Sequence, residues 1–173
     1  MRRYIGKLFS ISLSVIFIMI LSGCGIYTFS GTSIQPDVTS ITVMNIENRA
    51  MQVNPTLANN LTIALQDKYR KLTKLDMLSS DGDLIVSGYI TSYEVTPTAI
   101  TSDEVASMNR LTIQVKIKFE NQKHPEDNFE KSFAAYQEYD SNNSLDSVQA
   151  VLCAQIIDTL VEDIFNATVA DWK

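Results

Sequence analysis

The chain has 173 residues, 14 basic and 20 acidic, with 45% hydrophobic residues and one histidine. That length fits one domain with a real core, and the acidic balance (net −6) argues against a partner built on a phosphate backbone. With two cysteines, Cys24 and Cys153, there is little scope for a disulfide framework.

The first 23 residues read as a signal peptide. Arg2, Arg3 and Lys7 form a positive start, and Leu8 to Leu21 form an apolar run of 14 residues. Spanning a bilayer takes about 20 residues, so this run is short for a membrane anchor. Leu21-Ser22-Gly23-Cys24 resembles a bacterial lipobox, a cleavage signal that places a lipid-bearing cysteine at the new N-terminus. On that reading Cys24 carries a covalent diacylglyceryl group and an N-acyl group, and no other cofactor is expected. The alternative is an uncleaved anchor with an incidental cysteine. A single acyl chain binds a membrane only marginally, whereas two or three on one residue hold essentially permanently. Gly25, not Asp, follows the cysteine, and no acidic run comes after it. The expected location is therefore the periplasmic side of an outer membrane, by lipid anchor. Removing residues 1–23 takes away three basic residues, leaving 11 against 20 acidic ones, a net −9. The expected organisation is a signal peptide over 1–23, a lipidated leader over 24–37 and one α+β domain over 38–173.

Ile41 to Ile46 is β-branched and strand-like. Asn54-Pro55 marks a helix start, and Leu57, Leu61, Ala64, Leu65, Tyr69 and Leu72 recur at helical spacing, predicting a helix over about 55–71. Ser79-Ser80-Asp81-Gly82 is turn chemistry. Asp83 to Val95 predicts a strand in which Gly88 marks a bulge or a close contact. Residues 97–108 are polar and aperiodic, a long excursion of the kind that often carries function.

Leu111, Ile113, Val115, Ile117 and Phe119 alternate with polar residues, the clearest period-two pattern in the chain. A polar turn with Pro125 follows, then a strand over 128–139 with Phe129, Phe133 and Ala135 on one side, completing an antiparallel hairpin. The last element is a helix over about 145–169, with Asn143 and Ser144 as candidate caps. Its apolar residues come in adjacent pairs (Leu152/Cys153, Ile156/Ile157, Leu160/Val161, Ile164/Phe165). Such pairs sweep more than one sheet can cover, so either the first helix packs beside it or an external partner does. The order β-α-β-β-β-α implies an α+β fold: two helices on one face of a four-stranded, mainly antiparallel sheet.

No catalytic constellation is present. His124 sits in an acidic turn and reads as a surface residue, and Cys153 in an apolar run reads as a small buried hydrophobe. There is no CxxC, no HExxH, no calcium loop and no glycine-rich phosphate loop. Asp81-Gly82-Asp83 reads as a turn, and Asp146-Ser147-Val148 resembles a bacterial O-glycosylation site but reads more strongly as a helix start. The tyrosines (Tyr89, Tyr93, Tyr136 and Tyr139 on strands, Tyr27 in the leader) suit interfaces. Arg110, Lys116 and Lys118 are the densest basic set on one strand, and all three point outward. They form either a solvated face or a contact for phosphate or carboxylate on an anionic ligand.

Cys24-Gly25-Ile26-Tyr27-Thr28-Phe29-Ser30-Gly31, Asn54-Pro55-Thr56-Leu57, Asn109-Arg110-Leu111-Thr112-Ile113 and Phe165-Asn166, taken in order, resemble the LptE family of lipopolysaccharide-assembly lipoproteins in its Bacteroidota-type form. The resemblance implies two helices on a four-stranded sheet and no enzymatic activity. It further implies a role as plug and support of an LptD-type outer-membrane β-barrel that delivers lipopolysaccharide to the outer leaflet. Lipopolysaccharide itself is an implied ligand and nucleic acid is not. The basic lipopolysaccharide-binding patch of some members has no obvious counterpart beyond Arg110. Another periplasm-facing role, such as a secretin pilot or a ligand-binding module, is the alternative.

Overall fold

The computed structural model describes residues 34–51, 54–98 and 108–170. The expected signal peptide, Cys24, most of the leader and positions 99–107 of the polar excursion lie outside the described residues. The elements are β1 (Ser40–Val43), β2 (Glu47–Asn48), α1 (Leu57–Leu72), β3 (Asp76–Met77), β4 (Leu84–Thr98), β5 (Met108–Asn121), a 3₁₀ turn (Pro125–Asp127), β6 (Phe129–Asp140) and α2 (Leu145–Phe165). A π turn, Asn166–Ala170, extends α2. Among the described residues no helix is long and apolar enough to cross a membrane.

The α+β class and the two helices agree with the sequence reading, but the sheet does not have four mainly antiparallel strands. It has six and is mixed, in the order β3-β1-β4-β5-β6 with β2 also on β4. β1 runs parallel to both β3 and β4, and β2 parallel to β4. The connectivity permits this: parallel neighbours need a crossover, and α1 lies between β1 and its later partners. β2 and β3 are two residues each, too short to leave a periodic trace in sequence.

β4 and β5 pair antiparallel from Leu84–Asn121 to Thr98–Met108, so both ends of the predicted excursion belong to strands. The register slips between Ile90 and Ser92; Thr91 is the extra residue, and its Oγ1 donates to Gln114 O at 3.2 Å. Gly88 therefore marks the close contact and not the bulge. A Cβ there would lie 2.3 Å from Lys116 O and 2.8 Å from Ile117 Cδ1.

On β5 the alternation is obeyed: Leu111, Ile113, Val115, Ile117 and Phe119 are fully buried against the helices. β6 pairs with β5 from Met108–Asp140 to Phe119–Phe129 and adds Phe133, Ala135 and Tyr139 to the core. The Phe119 and Phe129 rings stack with centroids 5.4 Å apart.

In α1 the buried stripe is Leu57, Leu61, Leu65 and Tyr69, at strict four-residue spacing. The helix starts two residues after Pro55, because Asn54 Oδ1 takes the Thr56 N–H (3.1 Å) and hydroxyl (3.0 Å) in a local turn. Leu72 leaves the stripe and is half-exposed. Thr73 ends the helix there, its N–H and hydroxyl donating to Tyr69 O, and Leu75 and Met77 supply the next apolar contacts. In α2 all four adjacent apolar pairs are buried. The first helix and the turn before it account for that: Asn54 Nδ2 in the turn reaches Cys153 Sγ (3.7 Å), Lys68 pairs with Glu162, and the Tyr69 and Phe165 rings lie 5.4 Å apart. Ser144 stands before α2 with no side-chain cap; its carbonyl instead accepts from the Ser147 hydroxyl at 2.7 Å.

Candidate functional site

With the helices covering one face of the sheet, the other is left to polar side chains. β5 sends Arg110, Thr112, Gln114, Lys116, Lys118 and Glu120 to it, opposite the parity of its buried residues. Antiparallel pairing then sets the neighbours: Lys116 lies between Tyr89 and Ser132, Lys118 between Ser87 and Glu130, and Arg110 between Thr96 and Glu138.

Each cation there meets a carboxylate. Lys116 Nζ is 2.7 Å from Glu130, and Lys118 Nζ is 2.9 Å from Glu120. Arg110 places Nε and Nη2 on Glu138 Oε1, at 3.1 and 2.7 Å, with its guanidinium 4.2 Å over the Tyr136 ring. Arg49 repeats the arrangement, holding Glu47 at 2.8 Å while stacking 4.2 Å over Tyr89. The hydrogen bond from Lys116 holds the Glu130 carboxyl below its ordinary range, and Glu130 in turn raises Lys116. Glu138 raises Arg110 in the same way.

A shallow groove of about 240 Å³ crosses this face, lined by Glu47, Arg49, Tyr89, Lys116, Lys118 and Glu130. Two of the three basic residues singled out in the sequence thus come together, and Arg110 does not join them. It stands six residues up β5 from Lys116, on the order of 20 Å away. Arg49 was not singled out, because Glu47-Asn48-Arg49 has no periodicity; only its alternating charge could have drawn notice.

The side chains of these pairs are mostly 29–63% exposed. Exposed ion pairs contribute about 0–1 kcal/mol each. The face is therefore close to charge-balanced, yet any one carboxylate can be exchanged for another anion at small cost.

The rest of the described residues add no reactive arrangement. No group of three or more His, Cys, Asp and Glu side chains is placed to hold a metal among them. Cys153 is buried, and burial pushes its thiol up, away from the thiolate. Asp83 is spent structurally: its carboxylate accepts from Thr39 N–H, the Thr39 hydroxyl and Ser40 N–H, fastening the β4 entry to β1.

Solved structures share this architecture. The chain is similar to protein XCC0632 of Xanthomonas campestris, with TM-score 0.53 and 11% identity over 77% of this chain and 87% of that one. It is also similar to protein CT253 of Chlamydia trachomatis, at 0.50 and 8% over 75% and 97%. A neuraminyllactose-binding hemagglutinin homolog of Helicobacter pylori gives 0.50 and 9% over 81% and 91%. At such identities the likeness is one of fold. No curated protein matches the chain significantly. The model of the family described as LptE, lipopolysaccharide-assembly, matches residues 38–168, from the buried Val38 ahead of β1 to the Thr168 hydroxyl that closes the core. The family model thus takes in all six strands and both helices, and this chain belongs to the LptE family of lipopolysaccharide-assembly proteins.

Proposed function

We propose that the protein is an outer-membrane lipoprotein, anchored on the periplasmic side through acylated Cys24, that plugs and supports an LptD-type β-barrel inserting lipopolysaccharide into the outer leaflet. It acts as a scaffold and not as an enzyme. Residues 1–23 are its signal peptide, 24–37 its lipidated leader and 38–173 its single domain. The observation that carries this reading is the family match over 38–168, which spans the whole sheet and both helices. The charge-balanced outer face of the sheet supports it, because barrel interiors are polar and favour a partner with paired charges over an apolar one. Segment 97–108, which begins and ends in the β4–β5 pair, is the part we assign to reach into the barrel.

Affinity capture of the tagged full-length protein from native envelopes tests the reading. An LptD-type barrel is the expected partner. Capture of a secretin would replace the reading with that of a secretion pilot. Deleting 99–107 should weaken recovery of the barrel while the domain stays folded; unchanged recovery removes that segment from the account.

The groove favours a second element of the same reading, direct contact with lipopolysaccharide. Lys116 and Lys118 are the residues we assign to its phosphates or carboxylates, with Arg49 beside them and Arg110 as a separate contact further along β5. Each anionic group that binds takes the place of Glu130 or Glu120.

A further inference from the structure

The described chain enters the domain through a turn at Gln35–Val38, closed by Val38 N–H donating to Gln35 O at 3.1 Å, with Pro36 in the second position. This turn is fastened to the loop between β5 and β6. Gln35 Nε2 donates to Asp127 Oδ2 at 3.1 Å, and His124 Nε2 lies 3.1 Å from both oxygens of Asp37. A second carboxylate, Glu126, stands 3.6 Å from His124 Nδ1.

The loop that presents the imidazole is held by bonds that do not titrate near neutrality. Asn121 Oδ1 accepts from the Lys123 and His124 N–H groups at 3.0 Å each, and Asn128 Oδ1 accepts from Asn121 N–H at 2.6 Å. The imidazole is thus a fixed post whose charge alone changes.

We propose that His124 is a pH-sensitive clasp: protonated, it holds Gln35–Asp37 against the β5–β6 loop; neutral, it leaves them on the single Gln35–Asp127 bond, from which they open readily. The imidazolium donates one N–H to Asp37 and attracts Glu126, 3.6 Å from its other nitrogen, by charge. A neutral ring keeps one N–H, serves one carboxylate at most, and loses its attraction to both. The charged groups facing the site are Asp37, Glu126, Asp127 through Gln35, and Lys123, which leans on Asp83 at 3.5 Å. Asp37 raises His124 above the ordinary imidazole value, chiefly by its hydrogen bond, and His124 lowers Asp37. With the folded value raised, the clasp is complete below 6.5 and is lost as pH climbs through the raised value. Release stops at Val38, whose side chain is buried in the core, and Asp83, ionised over that range, keeps Thr39 and Ser40 behind it. Opening frees three residues ahead of Val38, about 10 Å of extra reach. The proposal does not depend on the barrel or the lipid reading.

Backbone hydrogen exchange of the full chain from about pH 5.5 to 8, corrected for intrinsic rates, tests it. Protection over 35–38, where the Val38 N–H closes the turn, should fall about fivefold as pH rises, while the Thr39 N–H and β5 stay constant. In His124→Gln the same segment should be weakly protected at every pH. In Asp37→Asn the NMR titration midpoint of His124 should drop. A flat wild-type profile, a His124→Gln profile like the wild type, or an unmoved midpoint in Asp37→Asn overturns the clasp.

Discussion

The Tyr69 hydroxyl and Thr168 Oγ1 lie 2.5 Å apart in the core, joining the last turn of α1 to the π turn after α2. Thr168 Oγ1 also donates to Ile164 O at 2.9 Å, so the phenol is anchored to a backbone that is itself anchored. Burial pushes the phenol well above its ordinary value, so it stays a donor at any working pH. Removing one partner of such a pair leaves the other unsatisfied, which costs about 1–3 kcal/mol, whereas removing both is nearly neutral. Thr168→Val should therefore destabilise more than Tyr69→Phe, and Tyr69→Phe/Thr168→Val should recover part of the loss. Urea unfolding of the four proteins checks the order.

Gly88 faces the Lys116 carbonyl at a distance that leaves no room for a methyl group. Gly88→Ala should cost about 2–4 kcal/mol, since β4 and β5 must part to admit it. Ser87→Ala, one residue away on the outer face, should stay within about 0.5 kcal/mol. Chemical denaturation separates the two.

Asp83 is held down to about 2, first by the Thr39 N–H and then by the hydroxyl beside it. Its folded value lies below the unfolded 3.8, so its contribution is complete above that value and drains away as pH falls toward 2. Discounted for solvent screening, the loss is about 1 kcal/mol. Thermal unfolding between pH 5 and 2 should show a steeper acid decline in the wild type than in Asp83→Asn, on the order of that amount.

If Lys116 and Lys118 meet lipopolysaccharide as proposed, Lys116→Gln/Lys118→Gln should reduce its binding to the full-length protein. Adding Arg110→Gln should reduce it further. Glu130→Gln, which frees Lys116, should strengthen it. Equal binding by all variants in a pull-down with biotinylated lipopolysaccharide removes the groove from the account.

Cys24→Ala should move the protein from the membrane pellet to the soluble periplasmic fraction, with its secondary structure intact by circular dichroism. Retention in the pellet would mean that something other than an acyl group holds it there.

Legibility in the sequence followed periodicity. β5 could be read residue by residue because one face is dry and the other wet, and α1 because four residues recur at spacing four. β2 and β3 could not, since two residues have no period, and with them went two of the three parallel pairings; the third, β1 with β4, joins two expected strands whose pairing no local pattern reveals. The ends of the elements shifted for local reasons: Asn54 turned the chain before α1 could begin, and Thr73 ended it past Tyr69. At the candidate site, parity alone placed Arg110, Lys116 and Lys118 on one face. Their pairing with Glu138 and Glu130 depended on the β5–β6 register, which the polar turn over 121–128 does not reveal. Arg49 joined them only through the parallel pairing of β2 with β4.

The entering turn at Gln35–Val38 and the open end of the β4–β5 pair at Thr98 and Met108 occupy opposite ends of one 14-residue strand span. At about 3.3 Å per residue that span is on the order of 45 Å. If the leader holds the domain at this turn, as proposed, the Thr98–Met108 end is carried as the tip of a boom. The β4–β5–β6 ladder stiffens that boom, so the position of the tip is set by the angle at which the turn is held.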